Sequence, residues 1–198
     1  MKTIELFTTP LFHCNIDSTR HMIPELEEFA LQQEKKHKSV RNVSNVNGGF
    51  QAPFMIVGKE PLCEDLINKL MPEIRSVILK WNFDNKLQIQ IGRCWININR
   101  KGHLNMPHAH AEADFAGIYY IKSKLGEEAP IGFSNTDTHV KKEKYGQIQE
   151  KNIWSSPHYM FFPKDNDFIM FPGQVEHWVE PNWSDTPRIA LAFNIRIA

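Results

Sequence analysis

From Lys86 onward the chain alternates apolar and polar residues in short runs, and this two-residue period restricts the fold more than any other feature. Leu87, Ile89 and Ile91 are separated by polar partners, and Trp95-Ile96-Asn97-Ile98-Asn99 continues the pattern. Successive strand side chains point to opposite faces, so each run predicts a strand with one face to bury. Ala116–Lys122, Pro130–Ser134, Asp167–Phe171, Gln174–Val179 and Arg188–Ile197 read the same way, with Gly126, Pro163, Pro172-Gly173 and Pro181-Asn182 as turns between them. Seven or eight short strands hide their apolar faces only by pairing into a sandwich or barrel.

The first 85 residues carry a helical period. After a short edge strand expected at Thr3–Phe7, Asp17-Ser18-Thr19 offers an N-cap. Met22, Ile23, Leu26, Phe29, Ala30 and Leu31 then follow at helical spacing, predicting a helix over 18–36. Ser44–Gly49 reads as a loop with Asn47-Gly48-Gly49 as its turn signal, and Asn47-Gly48-Gly49-Phe50-Gln51 reads as either a substrate lid or only a turn. A second helix is expected over 61–81, with Leu62, Leu66, Leu70, Ile74 and Leu79 on its apolar face. The expectation is one domain over 1–198 in the α+β class, mainly β: a mostly helical support over 1–85 and a β core over 86–198.

Charge and cysteine content narrow the function. Lys and Arg number 23 against 23 Asp and Glu, so no basic footprint for nucleic acid is expected. No apolar run approaches the roughly 18 residues of a membrane span. The charged start, Met1-Lys2-Thr3-Ile4-Glu5, lacks the apolar stretch of a secretory signal. Cys14, Cys63 and Cys94 show no CxxC spacing and read as reduced thiols. A cytoplasmic protein with neither a nucleic-acid nor a membrane partner is the resulting expectation.

Two segments carry chemistry. In Pro107-His108-Ala109-His110-Ala111-Glu112, a strand would set His108, His110 and Glu112 on one face. Imidazoles so close repel when charged, and a bound cation keeps them neutral. The alternative is a pair of exposed histidines at a strand end. Far downstream, His177 lies in a late strand and Arg188 opens the last one. An arginine turned inward there is costly unless it holds an anion, for which its planar fork suits a carboxylate; an arginine facing water is the other reading.

In order, the HxH, a histidine 67 residues after His110 and an arginine 11 residues after that form a constellation. It resembles the double-stranded β-helix (a jelly-roll, cupin-like core) of the iron(II)- and 2-oxoglutarate-dependent oxygenases, in the prolyl-hydroxylase-like branch. There His-x-Asp/Glu, a distant His and a later basic residue recur, and His177-Trp178-Val179-Glu180-Pro181 ahead of Arg188 is similar to that branch's distal stretch. The chain is also similar to a bacterial and phage family of such oxygenases. The likeness is carried by Ser44-Asn45-Val46-Asn47-Gly48-Gly49, Trp95-Ile96-Asn97, His108-Ala109-His110, Ala116-Gly117-Ile118-Tyr119-Tyr120, Phe171-Pro172 leading to His177, and Arg188-Ile189-Ala190-Leu191-Ala192-Phe193-Asn194.

The resemblance implies a dioxygenase, a hydroxylase of an unspecified small-molecule or peptide substrate, with Fe(II) as cofactor and 2-oxoglutarate as co-substrate. It implies Arg188 as the anchor of the far carboxylate, Tyr120 as its hydrogen-bond partner and Asn97 near the keto-acid end. Trp178, beside His177, reads as wall. His110 stands where the family pattern has a carboxylate, and two ligand sets follow: His108, His110 and His177, or His110, Glu112 and His177. Two further readings remain open on the residues alone. One is a cupin-like three-histidine site for Zn, Fe or Mn that does not use 2-oxoglutarate; the other is a degenerate ligand-binding barrel.

Overall fold

The computed structural model describes residues 2, 8–41, 44–45, 48–56, 59–84, 86–124, 129–135, 146–150, 152 and 155–198. The expected strand at 3–7 and the turn glycine Gly126 lie outside these residues, as does Asn47 of the loop. Among the described residues, eleven strands form two antiparallel sheets. The larger sheet runs β1 (Phe12–Asn15), β9 (Asp167–Pro172), β6 (Phe115–Lys122), β11 (Arg188–Ile197), β4 (Ile89–Asn99) and β2 (Phe50–Gln51), with β3 (Met55–Ile56) also paired to β4. The smaller runs β5 (Asn105–His108), β10 (His177–Val179), β7 (Ile131–Ser134) and β8 (His158–Phe161).

The two-residue period sorts the strands of the larger sheet into two cores. Ile189, Leu191, Phe193 and Ile195 of β11 join Cys94, Ile96 and Ile98 of β4 in one cluster. The helices α1 (Ile23–Lys36) and α2 (Pro61–Lys80) cover that cluster through Leu26, Ala30, Leu66, Leu70 and Ile74. Each such fully buried Leu or Ile contributes about 1.5–3 kcal/mol. The alternate residues turn to the smaller sheet, where Ala116, Tyr120, Ile131, Phe133, Ile169, Phe171 and Ala190 form a second cluster. β6 lies between layers and is apolar on both sides for that reason.

Several expectations shift. The helix expected to start near 18 begins as a 3-10 turn over Asp17–Met22, and α1 starts at Ile23 with Pro24 in its first turn. Asp17-Ser18-Thr19 gives no side-chain cap. Thr19 is buried instead, its hydroxyl 2.8 Å from Asn166 Oδ1 and 3.1 Å from the Tyr119 hydroxyl. α2 matches its expected span, but Leu79 is 67% exposed and Val77 and Ile78 take the buried positions. The N-terminal part is less purely helical than expected, because β1, β2 and β3 add to the larger sheet. These strands are two to four residues long, too short to show a period. Strand β10 is also shorter than expected, since 174–176 form the turn into it. Among the described residues no helix is long and apolar enough to cross a membrane.

Candidate active site

The inner faces of the two sheets enclose a cavity of about 470 Å³, and the sequence-predicted residues gather on its wall. β5 and β10 pair antiparallel with His108 opposite His177. Their ring centroids are 4.3 Å apart. Contrary to expectation, the HxH does not lie on one strand: His108 ends β5 and His110 falls in the loop beyond it. That loop is held by backbone hydrogen bonds, His110 N to Gly173 O at 2.8 Å and Ala113 N to His110 O at 2.9 Å. His110 still reaches the others, with its ring stacked on His177 at 5.1 Å and 15° and 5.3 Å from His108. One ring nitrogen from each lies within 4.8 Å of the others.

Hydrogen bonding fixes two of the tautomers. His108 Nδ1 is 2.8 Å from the Met106 carbonyl and His177 Nδ1 is 2.9 Å from the Val175 carbonyl. A carbonyl only accepts, so each Nδ1 carries the proton and each Nε2 keeps a free lone pair. Burial disfavours the charged form in all three rings. It lowers His108 below the usual histidine value, takes His110 down to about 4 and His177 to about 3, with the charge of His108 as the next cause for the latter two. The rings are neutral at pH 7 and able to share a cation, and neutral imidazole suits iron, zinc or copper. Glu112 does not join them. Its side chain is exposed, with Oε2 3.6 Å from Arg196 Nη2.

Arg188 heads β11 and turns inward, 2% exposed. Its Cζ lies 4.9 Å from the centroid of the Tyr120 ring. Among the described residues, Arg188 Nε and the Tyr120 hydroxyl are both buried without a hydrogen-bond partner, and no carboxylate pairs with the guanidinium. Burial pushes the Tyr120 pKa up while Arg188 pulls it back, so the phenol keeps its proton and can donate. Asn97 lies on the inner face of β4, opposite Ala190 and Gln51, and lines the cavity.

Other positions matter that the sequence reading treated only as motif or turn. Trp95 lies 5.7 Å from His110 by ring centroids and walls the cavity. A Cβ on Gly173 would stand 2.2 Å from the Ala113 carbonyl and 2.8 Å from that of His110, so only glycine lets this loop close on β9. Asn182 is fully buried and ties the turn ahead of Arg188, donating from Nδ2 to Asn99 O and Thr186 O at 2.9 Å each. Asn194 lines the far end with its Oδ1 buried and without a partner among the described residues. Trp178, expected as wall, instead turns away from the cavity, covering the outer side of Gly132 and donating to Glu180 Oε1 at 2.7 Å.

Residues 93–194, just over half of the chain, match the family described as "putative 2OG-Fe(II) oxygenase", 2OG being 2-oxoglutarate. The chain belongs to this family. The matched stretch contains all three histidines, Asn97, Tyr120 and Arg188. No curated protein matches the chain. Among solved structures it is similar to a Pseudomonas putida prolyl-4-hydroxylase, at 12% identity and TM-score 0.67 over 96% of this chain and 93% of that one. A prolyl hydroxylase from Trichoplax adhaerens, in complex with a hypoxia inducible factor peptide fragment, matches at 15% identity and TM-score 0.62 over 96% and 84%. The epimerase SnoN from nogalamycin biosynthesis, in complex with Fe3+, alpha ketoglutarate and nogalamycin RO, matches at 13% and 0.63 over 95% and 79%. The fold shared with these oxygenases is the double-stranded β-helix. The family makes this chain an oxygenase that uses iron(II) and 2-oxoglutarate, with the three-histidine group as a metal site the residues can form.

Proposed function

We propose that the chain is a hydroxylase in which His108, His110 and His177 hold iron(II) and Arg188 anchors 2-oxoglutarate by its far carboxylate. When bound, the iron supplies the oxidative chemistry, coupled to decarboxylation of 2-oxoglutarate. The chain's own residues bind, orient and exclude water. Arg188 presents a two-pronged donor face to a carboxylate, and the Tyr120 hydroxyl adds a neutral donor beside it. Asn97, one inward position along from Arg188 towards the histidines, faces the keto-acid end. The carbonyls of Met106 and Val175 hold two imidazoles in the ligating tautomer. In this reading the whole chain, 1–198, works as one domain, since the first 85 residues supply both the helical cover and three strands of the larger sheet.

The observation that carries the reading is Arg188, a buried guanidinium with no counter-ion among the described residues, facing the same cavity as three neutral imidazoles. A buried unpaired charge is strongly unfavourable unless a ligand completes it. The all-nitrogen ligand set also suits zinc, or an iron or manganese dioxygenase without 2-oxoglutarate, and one experiment separates these readings. Oxygen-free, iron-loaded protein is titrated calorimetrically with 2-oxoglutarate. Wild type is expected to bind. Arg188→Ala should lose about 2–5 kcal/mol, or on the order of 30- to several-thousand-fold, with metal binding retained. Arg188→Lys should recover part of the loss, having the charge without the fork. No binding by wild type, or equal binding by Arg188→Ala, would overturn the proposal.

A further inference from the structure

The cavity continues past the histidines, away from Arg188, to a mouth built on β4. Arg93, Trp95 and Asn97 occupy successive inward positions of that strand and all line the cavity. Register with β11 orders them: Arg188 lies opposite Asn99, Ala190 opposite Asn97 and Ala192 opposite Trp95. Trp95, the residue against His110, therefore marks the level of the histidines, and Arg93 lies one step beyond. Six residues of strand, roughly 20 Å, separate the level of Arg188 from that of Arg93. One five-carbon dicarboxylate cannot engage both.

The mouth is a connected set of rings and one cation. The Arg93 guanidinium stands over the Phe54 ring, Cζ to centroid 5.0 Å. Phe54 meets Trp95 edge to face at 5.6 Å, and Trp95 meets His110 at 5.7 Å. Phe54 is half exposed, so this aromatic surface opens to solvent. Among the described residues Arg93 has no carboxylate partner, and the one acidic side chain on the cavity wall, Glu112, faces Arg196.

Charge then selects what can bind. Metal-bound imidazoles are neutral, so the three histidines give a divalent ion no negative charge. The ion, Arg188 and Arg93 bring four positive charges to the cavity and 2-oxoglutarate removes two. Excess positive charge in a walled cleft raises the local concentration of anions. We propose that the mouth anchors the substrate, and that the substrate is an organic anion on a flat or ring-shaped body: its anionic group faces Arg93 and its body lies against Phe54 and Trp95. This inference rests on the reading of the site as a metal and 2-oxoglutarate centre.

The test uses the full chain loaded with manganese(II), saturated with 2-oxoglutarate and kept free of oxygen. Benzoate and benzamide, alike in shape and different in charge, serve as probes. Paramagnetic relaxation of their ring protons by manganese reports binding near the metal, and 2-oxoglutarate affinity is measured separately in the same samples. Benzoate should bind at least about fivefold more tightly than benzamide, the size of an ion pair at a rim. Arg93→Gln should erase that preference while leaving 2-oxoglutarate affinity unchanged, Arg93→Lys should keep part of it, and added salt should shrink it. Equal binding of the two probes, binding of neither, benzoate displacing 2-oxoglutarate, or a preference that survives Arg93→Gln would each overturn the inference. Failure of 2-oxoglutarate itself to bind wild type would instead count against the function proposed above, and is read independently of the probes.

Discussion

His108 and His177 face each other across the β5–β10 pair, so that two imidazoles 69 positions apart in sequence come within 4.3 Å by ring centroid. Each is oriented by a carbonyl two residues before it, Met106 for one and Val175 for the other. The strand pairing thus sets the distance and the backbone sets the tautomer. Removing one ring should break the group. His177→Ala is expected to lose metal affinity by more than the 10- to 100-fold typical when only an outer partner is lost. Thermal unfolding of anaerobic protein with and without iron(II) checks this. Wild type should gain about 2.7 kcal/mol at a metal concentration 100-fold above its Kd, and the variant should gain almost nothing at that concentration.

Gly173 controls the position of His110 without touching it through a side chain. In Gly173→Ala the new methyl meets the Ala113 carbonyl at 2.2 Å, a distance at which the backbone must move. The segment that moves carries His110. Overpacking of this kind destabilises by about 1–3 kcal/mol. Urea unfolding of the metal-free protein should show that loss, and metal titration should show a weaker site although all three histidines remain. Unchanged metal affinity alongside the stability loss would mean that His110 does not depend on this closure.

The parts of the molecule that were legible in the sequence share one property: a pattern repeated along a strand or helix. The apolar run of β11 marked Arg188 at its head as either an anion holder or a water-facing end, and the structure settles it inward with Ala190; α2 announced itself by its apolar spacing. The HxH, the late histidine and the arginine were legible as a spacing, although spacing put His110 on a strand it does not occupy. Glu112 looked equivalent to His108 in that pattern. It departs because the chain turns after β5, carrying Glu112 outward to Arg196. Trp95, Gly173 and Asn182 were seen only as a motif member and turn residues. Their roles arise from contacts with segments tens of residues away, which no local period encodes. Thr19 shows the converse: a residue suited to cap a helix is drawn into the core by Asn166 and Tyr119, and the helix begins later.

Acid should unfold the metal-free protein earlier than its even charge balance suggests. The folded state holds His110 at about 4 and His177 at about 3, and keeps His108 below the ordinary value of 6.5, chiefly because burial disfavours the charged rings. The unfolded chain protonates its histidines as pH falls through 6.5, while the folded chain does not yet follow. The unfolded state then binds more protons, so stability is fully present above 6.5 and declines as pH falls towards 4 and 3. Each such histidine gives a slope of at most about 1.4 kcal/mol per pH unit. His177, 3% exposed, approaches that limit most closely. Between pH 7 and 5 it should contribute about 2 kcal/mol of the loss. Urea unfolding of metal-free wild type and His177→Gln at pH 7, 6 and 5 isolates this share. Wild type should fall more steeply than the variant across that range, and parallel profiles would show that His177 is not held neutral by its burial. Iron(II) should flatten the wild-type profile, since a bound metal occupies the lone pairs that protons would otherwise take.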